Sequence, residues 1–108
     1  MTSEIHGKVC IMYISKKLLE KYNLLSADTS DVITFGSSID TIEVTILIKE
    51  AENGVKVSLR SKSLVNVSII AEDFEGGGHI RAAGFYTKAN FEDTKVKLIK
   101  ILEKELIQ

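Results

Sequence analysis

The pair Asn53-Gly54 lies between two runs in which apolar and polar residues alternate, and this arrangement narrows the choice of folds more than any other feature of the chain. On one side Ile42, Val44, Ile46 and Ile48 alternate with Glu43, Thr45, Leu47 and Lys49. On the other, Val55, Val57 and Leu59 alternate with Lys56, Ser58 and Arg60. A period of two is the period of a strand, and Asn-Gly tolerates the positive φ that a type I′ turn needs at both central positions. The segment therefore predicts an antiparallel hairpin. With Val55, Val57 and Leu59 on the core face, Ser58 and Arg60 point the other way.

Helical and extended patterns alternate around the hairpin. Residues 8–14 are apolar on both alternating faces, with Val9, Ile11 and Tyr13 on one and Cys10, Met12 and Ile14 on the other, the mark of an interior strand. Ser15 can cap a helix carrying Leu18, Leu19 and Tyr22, with Asn23 closing it. Val32, Phe35 and Ile39, with Gly36 on the same side, predict a second helix starting near residues 28–30. A short helix is expected from Asn66, with Val67, Ile70, Ala71 and Phe74 on one stripe, broken at residues 75–78. Residues 82–87 suit a last strand. Asn90 caps a final helix with Asp93 three residues on, and Leu98, Leu102 and Leu106 stack along it. The expected fold is α/β (α+β): a single compact domain over residues 1–108, with a mixed sheet of about five strands covered by helices.

Charge and cysteine content restrict the function. The formal net charge is -1, so a broad basic surface for long nucleic acid is not expected, and a nucleic-acid role must rest on a local pocket and a short ligand. The lysine pairs Lys16-Lys17 and Lys95-Lys97 read as solvated helix faces. Cys10 is the only cysteine, set in the apolar run Val9-Cys10-Ile11-Met12, and reads as a small buried hydrophobe rather than a nucleophile. The N-terminus lacks a signal-peptide apolar region and no stretch has transmembrane length, so a cytoplasmic setting without membrane contact is expected.

One segment carries chemistry. In Gly76-Gly77-Gly78-His79-Ile80-Arg81 three glycines free the backbone of Cβ atoms, so successive N–H groups can line a concavity for an anion such as phosphate. His79 adds ring donors and Arg81 a fixed positive charge two residues later. The competing reading is a flexible turn followed by a tightly packed strand. No Gly-Lys-Ser/Thr follows, so this is not a P-loop, and a helix rather than a strand precedes it, against a dinucleotide fingerprint.

Read together, Val57-Ser58-Leu59-Arg60-Ser61-Lys62, Val65-Asn66-Val67 with Ile70-Ala71, Phe74, and Gly76-Gly77-Gly78-His79 followed by Ala82-Ala83-Gly84-Phe85 resemble the DHH-associated C-terminal domain of DHH-family phosphoesterases. The resemblance is to the nanoRNase/pAp phosphatase branch, related to RecJ, and with Val9 to Ser15 as the domain start it covers about residues 8–105. It implies a separate DHH catalytic domain holding divalent metal, usually Mn²⁺, over which this domain closes to bind a short single-stranded oligonucleotide or a nucleotide such as pAp. The matching residues are Arg60, Ser61, Gly76, Gly77, Gly78 and His79, expected to contact substrate phosphate or the terminal nucleotide. Arg81 sits at a variable slot of the motif. Many relatives carry glycine where this chain has Glu75, whose carboxylate either weakens phosphate binding or points to solvent. Arg60 has an alternative as an ion pair with Glu43 or Glu50, and His79 as a core or cap histidine.

The chain has no Asp-His-His motif, two histidines in all, and no acidic residues at clustered ligand spacing. It is expected to bind no metal and to have no catalytic residue, and so to form half of an active site, as a truncated or stand-alone piece. A stand-alone nucleotide-binding or interaction module without catalysis is the alternative. A structural sheet domain whose glycine run only makes a turn is the third reading.

Overall fold

Apolar side chains on both faces of two successive segments force them into the middle of a sheet, and the rest of the chain is arranged around that pair. The computed structural model describes residues 2–4, 7–21 and 41–106. The strands are β1 (Thr2–Glu4), β2 (Val9–Ile14), β3 (Val44–Ala51), β4 (Gly54–Ser61), β5 (Gly77–His79) and β6 (Ala82–Thr87). The helices are α1 (Lys16–Lys21), α2 (Val67–Asp73) and α3 (Phe91–Leu106). The sheet order is β1-β2-β3-β4-β6-β5, with β2 and β3 parallel and every other pair antiparallel. This is the expected α+β mixed sheet with its hairpin, extended by two three-residue edge strands, β1 and β5. The second helix expected near residues 28–39, Tyr22, Asn23 and the side chain of Leu19 lie outside the described residues.

Helix starts follow the side chains that cap them. The Leu18 N–H donates to Ser15 Oγ at 3.1 Å, Ser68 N–H to Asn66 Oδ1 at 3.0 Å, and Asp93 N–H to Asn90 Oδ1 at 2.8 Å. Each satisfies a donor that the first helical turn leaves without a partner. Helices α2 and α3 bury Val67, Ile70, Leu98 and Leu102 in one cluster with Val44, Ile46, Ile48, Val57 and Leu59. On the opposite sheet face Cys10, Met12, Ile14, Ile42 and Leu47 make a second, smaller cluster. Burial pushes the Cys10 thiol above its ordinary range, which suits an inert core residue.

Two details differ from expectation. The hairpin turns one residue early: Ala51 pairs with Gly54, and only Asn53, at φ 58°, has positive φ, so the type I′ geometry is not built. Gly54 is required for a different reason, since a Cβ there would collide with the Thr87 carbonyl oxygen and meet Lys88 Cα at 2.9 Å. Ile42 leaves the core face of β3 for the second cluster. The Glu43 and Val44 N–H groups both donate to the Lys8 carbonyl, at 2.7 and 3.1 Å, so the strand's alternation begins only at Val44.

Ile46, fully buried at the centre of the larger cluster, is the most direct probe of this packing. Ile46→Ala should lower unfolding free energy by about 2–5 kcal/mol in urea denaturation, through the cavity it leaves. A loss below ~1 kcal/mol would mean that the sheet is not packed in this way.

Candidate functional site

Strand register decides which side chains meet. Arg60 pairs with Ala82 across β4 and β6, and Ala82 pairs with His79 across β6 and β5. Directly paired residues project to the same face, so Arg60, Ala82 and His79 form one row, on the face opposite Val57, Leu59 and α2. Two strand spacings separate Arg60 from His79, about 9–10 Å. His79 is exposed and Arg60 half-buried. Among the described residues the guanidinium makes one hydrogen bond, to the Leu59 carbonyl at 3.5 Å, and no ion pair. Its partner on β3 is Thr45, not Glu43 or Glu50, which have other tasks.

The Gly-Gly-Gly-His run is not the expected loop. Gly77–His79 is an edge strand on β6, so its backbone is extended rather than curled into a nest of N–H groups. The glycines divide by face. A Cβ on Gly78, at φ 147°, would stand 2.5 Å from Ala83 Cα, and one on Gly76 would reach the Phe85 Cβ at 2.5 Å, so both serve close packing against β6. Gly77 faces the other way, with nothing within 4 Å of its Cβ position. That glycine leaves open space beside His79.

Glu75 enters through its backbone. The Gly76 N–H donates to the Ala71 carbonyl at 2.8 Å and the Glu75 N–H to the Glu72 carbonyl at 3.0 Å, the paired bonds of a Schellman motif closing α2. Glu75 holds its left-handed position, at φ 65°. Its side chain is exposed, so the departure from glycine acts on conformation.

A charge clasp missed in the sequence shapes the end of this face. Glu43 is 8% exposed, and its carboxylate accepts from the N–H groups of Leu64 at 2.9 Å, Val65 at 3.2 Å and Ser63 at 3.2 Å. Burial pushes its carboxyl up, but the backbone donors together outweigh that and hold it below the usual carboxylate range. Arg81 grips the same turn from its carbonyl side. Its guanidinium donates to Val65 O at 2.6 Å, Ser63 O at 2.8 Å and Ser61 Oγ at 3.1 Å, while Ser61 Oγ donates to Val65 O at 2.6 Å. Ser61 and Arg81 are thus committed to holding residues 61–65. A Glu 20 to 22 residues before the turn residues it holds and an Arg 16 to 20 after them leave no local pattern to read.

Two strand residues beyond the Gly77 row, Lys49 stands opposite Lys56, and Lys56 opposite Tyr86. The Lys49 ammonium is held below the usual lysine range, first by burial and then by Lys56. No group of three or more His, Cys, Asp or Glu among the described residues is placed to hold a metal ion, and Glu43, the buried carboxylate, is filled by backbone donors. Among the described residues no helix is long and apolar enough to cross a membrane.

Known proteins resemble this chain. The DHHA1 domain model matches residues 6–108. The chain is 38% identical over 93 residues to the probable bifunctional oligoribonuclease and PAP phosphatase NrnA of Streptococcus mutans, covering 83% of this chain and 30% of that protein. It is 30% identical over 80 residues to the bifunctional oligoribonuclease and PAP phosphatase NrnA of Thermus thermophilus, covering 73% and 25%. The chain therefore spans less than a third of these curated relatives. Among solved structures, an exopolyphosphatase-related protein from Bacteroides fragilis superposes with TM-score 0.80 at 24% identity, over 89% of this chain and 28% of that one. The C-Ala domain of Aquifex aeolicus alanyl-tRNA synthetase gives 0.69 at 13%, over 94% and 98%. At such identities these two speak for the fold.

The clasp predicts a pH signature. A carboxyl held low when folded contributes stability above its unfolded range, about 4.3, and loses it as pH falls through the lower folded value. Glu43→Gln should cost about 1.5–3 kcal/mol at pH 7, and in urea titrations that gap should begin to narrow below about pH 4.3 and close once the lower folded value is passed. A gap that persists unchanged in acid would rule out the charge as the cause. Glu75→Gly should gain about 1 kcal/mol by relieving the left-handed backbone, read in the same denaturation assay.

Proposed function

The chain belongs to the DHHA1 domain family, and on that premise we propose that it is the substrate-binding domain of a phosphoesterase of the oligoribonuclease and pAp phosphatase type. It holds the phosphate and terminal nucleotide of a short substrate and does not cleave it. The observation that carries the reading is the shared row of Arg60 and His79 on the sheet face away from Val57 and Leu59, with Ala82 between a half-buried Arg60 and an exposed His79. A guanidinium offers a planar fork of N–H donors matched to phosphate oxygens, and an imidazole adds a donor from the side. Gly77 leaves room for the ligand beside His79. Gly76 and Gly78 hold the edge strand against β6, and Ser61 and Arg81 position Arg60 by fixing the turn that follows it.

Hydrolysis belongs, in this reading, to a DHH catalytic domain whose divalent metal, of the Mn²⁺ type, activates water. The described residues of this chain do not fit such a centre, so their work is to bind and orient. Cytoplasmic residence is part of the same proposal; a single buried thiol needs no oxidising compartment. A DHH domain encoded on the same polypeptide would separate this reading from a stand-alone binding module.

Alone, the domain supplies part of a pocket, so the dissociation constant for pAp should be on the order of 0.1–1 mM. Arg60→Ala should weaken it about ten- to a hundredfold, through one charge-assisted contact. His79→Ala should weaken it in the same direction. Neither should move stability by more than about 0.5 kcal/mol. Heteronuclear NMR titration with pAp checks this, with the largest shifts at residues 76–79 and around Arg60. If both variants bind pAp like the parent chain, or both unfold, the residues are structural.

A further inference from the structure

We infer that the open face holds a second nucleotide unit beyond the terminal one, with Tyr86 as a stacking platform for its base and Lys56 as a contact for its phosphate. This rests on the proposed binding role of Arg60 and His79 and extends it along the same face. Tyr86 shares its row with Lys56 and Lys49, because Lys49 pairs with Lys56 and Lys56 with Tyr86. Lys56 lies four residues from Arg60 on β4, about 13–14 Å away at strand rise. Between the two rows runs a third, Ser58, Gly84 and Gly77, in which two of three positions carry no side chain. The result is a trough floored by bare backbone, with Arg60 and His79 along one side and Lys56 and Tyr86 along the other.

Three further observations fit a single strand rather than another occupant. Tyr86 is 45% exposed, yet its hydroxyl donates to the Glu52 carbonyl at 2.7 Å, so the ring is tethered at its tip before any ligand arrives. An aromatic face that is already ordered loses little freedom when a base stacks on it. Lys49 and Lys56 stand directly opposite, so two ammonium groups share this end of the face. Finally, the strand positions facing this side from Thr45 onward, on β3, β4, β6 and β5, include Lys49, Lys56, Arg60 and His79 and no carboxylate. The chain as a whole has net charge -1, so these strand positions differ in sign from the whole, while Asp73 and Glu75 border Tyr86 from the α2 end.

The test compares two ligands on the 108-residue chain: pAp, and 5′-phosphorylated tetraadenylate, followed by NMR titration and fluorescence anisotropy. Tyr86→Leu should weaken the tetranucleotide about five- to a hundredfold, the range for one base–aromatic stack, and leave pAp within about twofold. Tyr86→Phe, which keeps the ring, should retain most of the tetranucleotide affinity. Lys56→Gln should weaken the tetranucleotide and lower its salt slope by about 0.7, the value for one phosphate contact on a single strand. Unchanged tetranucleotide binding in both Tyr86→Leu and Lys56→Gln overturns the inference, and if Arg60→Ala still weakens both ligands the proposed function stands without it. Equal losses for pAp and tetranucleotide in Tyr86→Leu overturn it too, by assigning the ring to the terminal nucleotide or the fold. Tripolyphosphate that displaces the tetranucleotide, binds equally tightly and ignores Tyr86→Leu would make this an anion site without a base platform, again against the inference. If Arg60→Ala changes neither ligand, both readings fall.

Discussion

Glu43 takes its carboxylate out of water at the start of β3, and the turn of residues 62–65 folds around it. A buried charge of this kind is costly unless several donors converge on it, and three successive backbone N–H groups do so. Arg81 completes the arrangement from the other side, taking the carbonyls of Ser63 and Val65. The turn thus gives its donors to the anion and its acceptors to the cation. Because β4 ends at Ser61 and α2 begins at Val67, this clasp fixes both the end of the strand carrying Arg60 and the start of the helix that covers the core. It also ties in the β5–β6 connection, since the Val67 N–H donates to the Ile80 carbonyl and the Ser61 N–H to the Arg81 carbonyl. The clasp therefore reinforces the relation of Arg60 and His79 that their own pairing with Ala82 sets.

Much of the fold was legible because it is written in local signals. Val55, Val57 and Leu59 declare their face by period two, and Ser15, Asn66 and Asn90 declare helix starts by the side chains they offer. What was not legible depends on contacts between distant segments. Gly54 looked like a turn residue and is a point of close approach to Thr87, thirty-three residues later. Ile42 looked like a core residue of β3, but two N–H groups sharing the Lys8 carbonyl shift its phase. The edge strand β5 was hidden because glycine has no strand preference of its own; pairing with Ala82 to Gly84 imposes it.

The candidate site was legible as a set of residues and illegible as a geometry. Arg60 was correctly placed away from Val57 and Leu59, yet nothing in the chain order shows that it shares a row with His79 through Ala82. The glycine run was read as one device, whereas its members divide between packing and open space. Gly76 and Gly78 lie against β6, while Gly77 faces outward. Arg81, at a variable slot of the motif, has its guanidinium engaged by two carbonyls and a hydroxyl.

An extended glycine strand is a different binding device from a curled glycine loop. A loop of successive N–H groups would grip an anion by backbone dipoles alone and could bind tightly in a small domain. A flat strand spends its backbone groups on the sheet, so it offers space, and the gripping passes to side chains on neighbouring strands. In the proposed function those are Arg60 on β4 and His79 at the strand's own end, whose backbones stand about 9–10 Å apart on one face. The direction that a sheet cannot supply is the one above its own face. On that proposal the surface binds weakly alone and more strongly once a second body closes over it, because the closing body adds contacts and removes water from the cationic groups already in place.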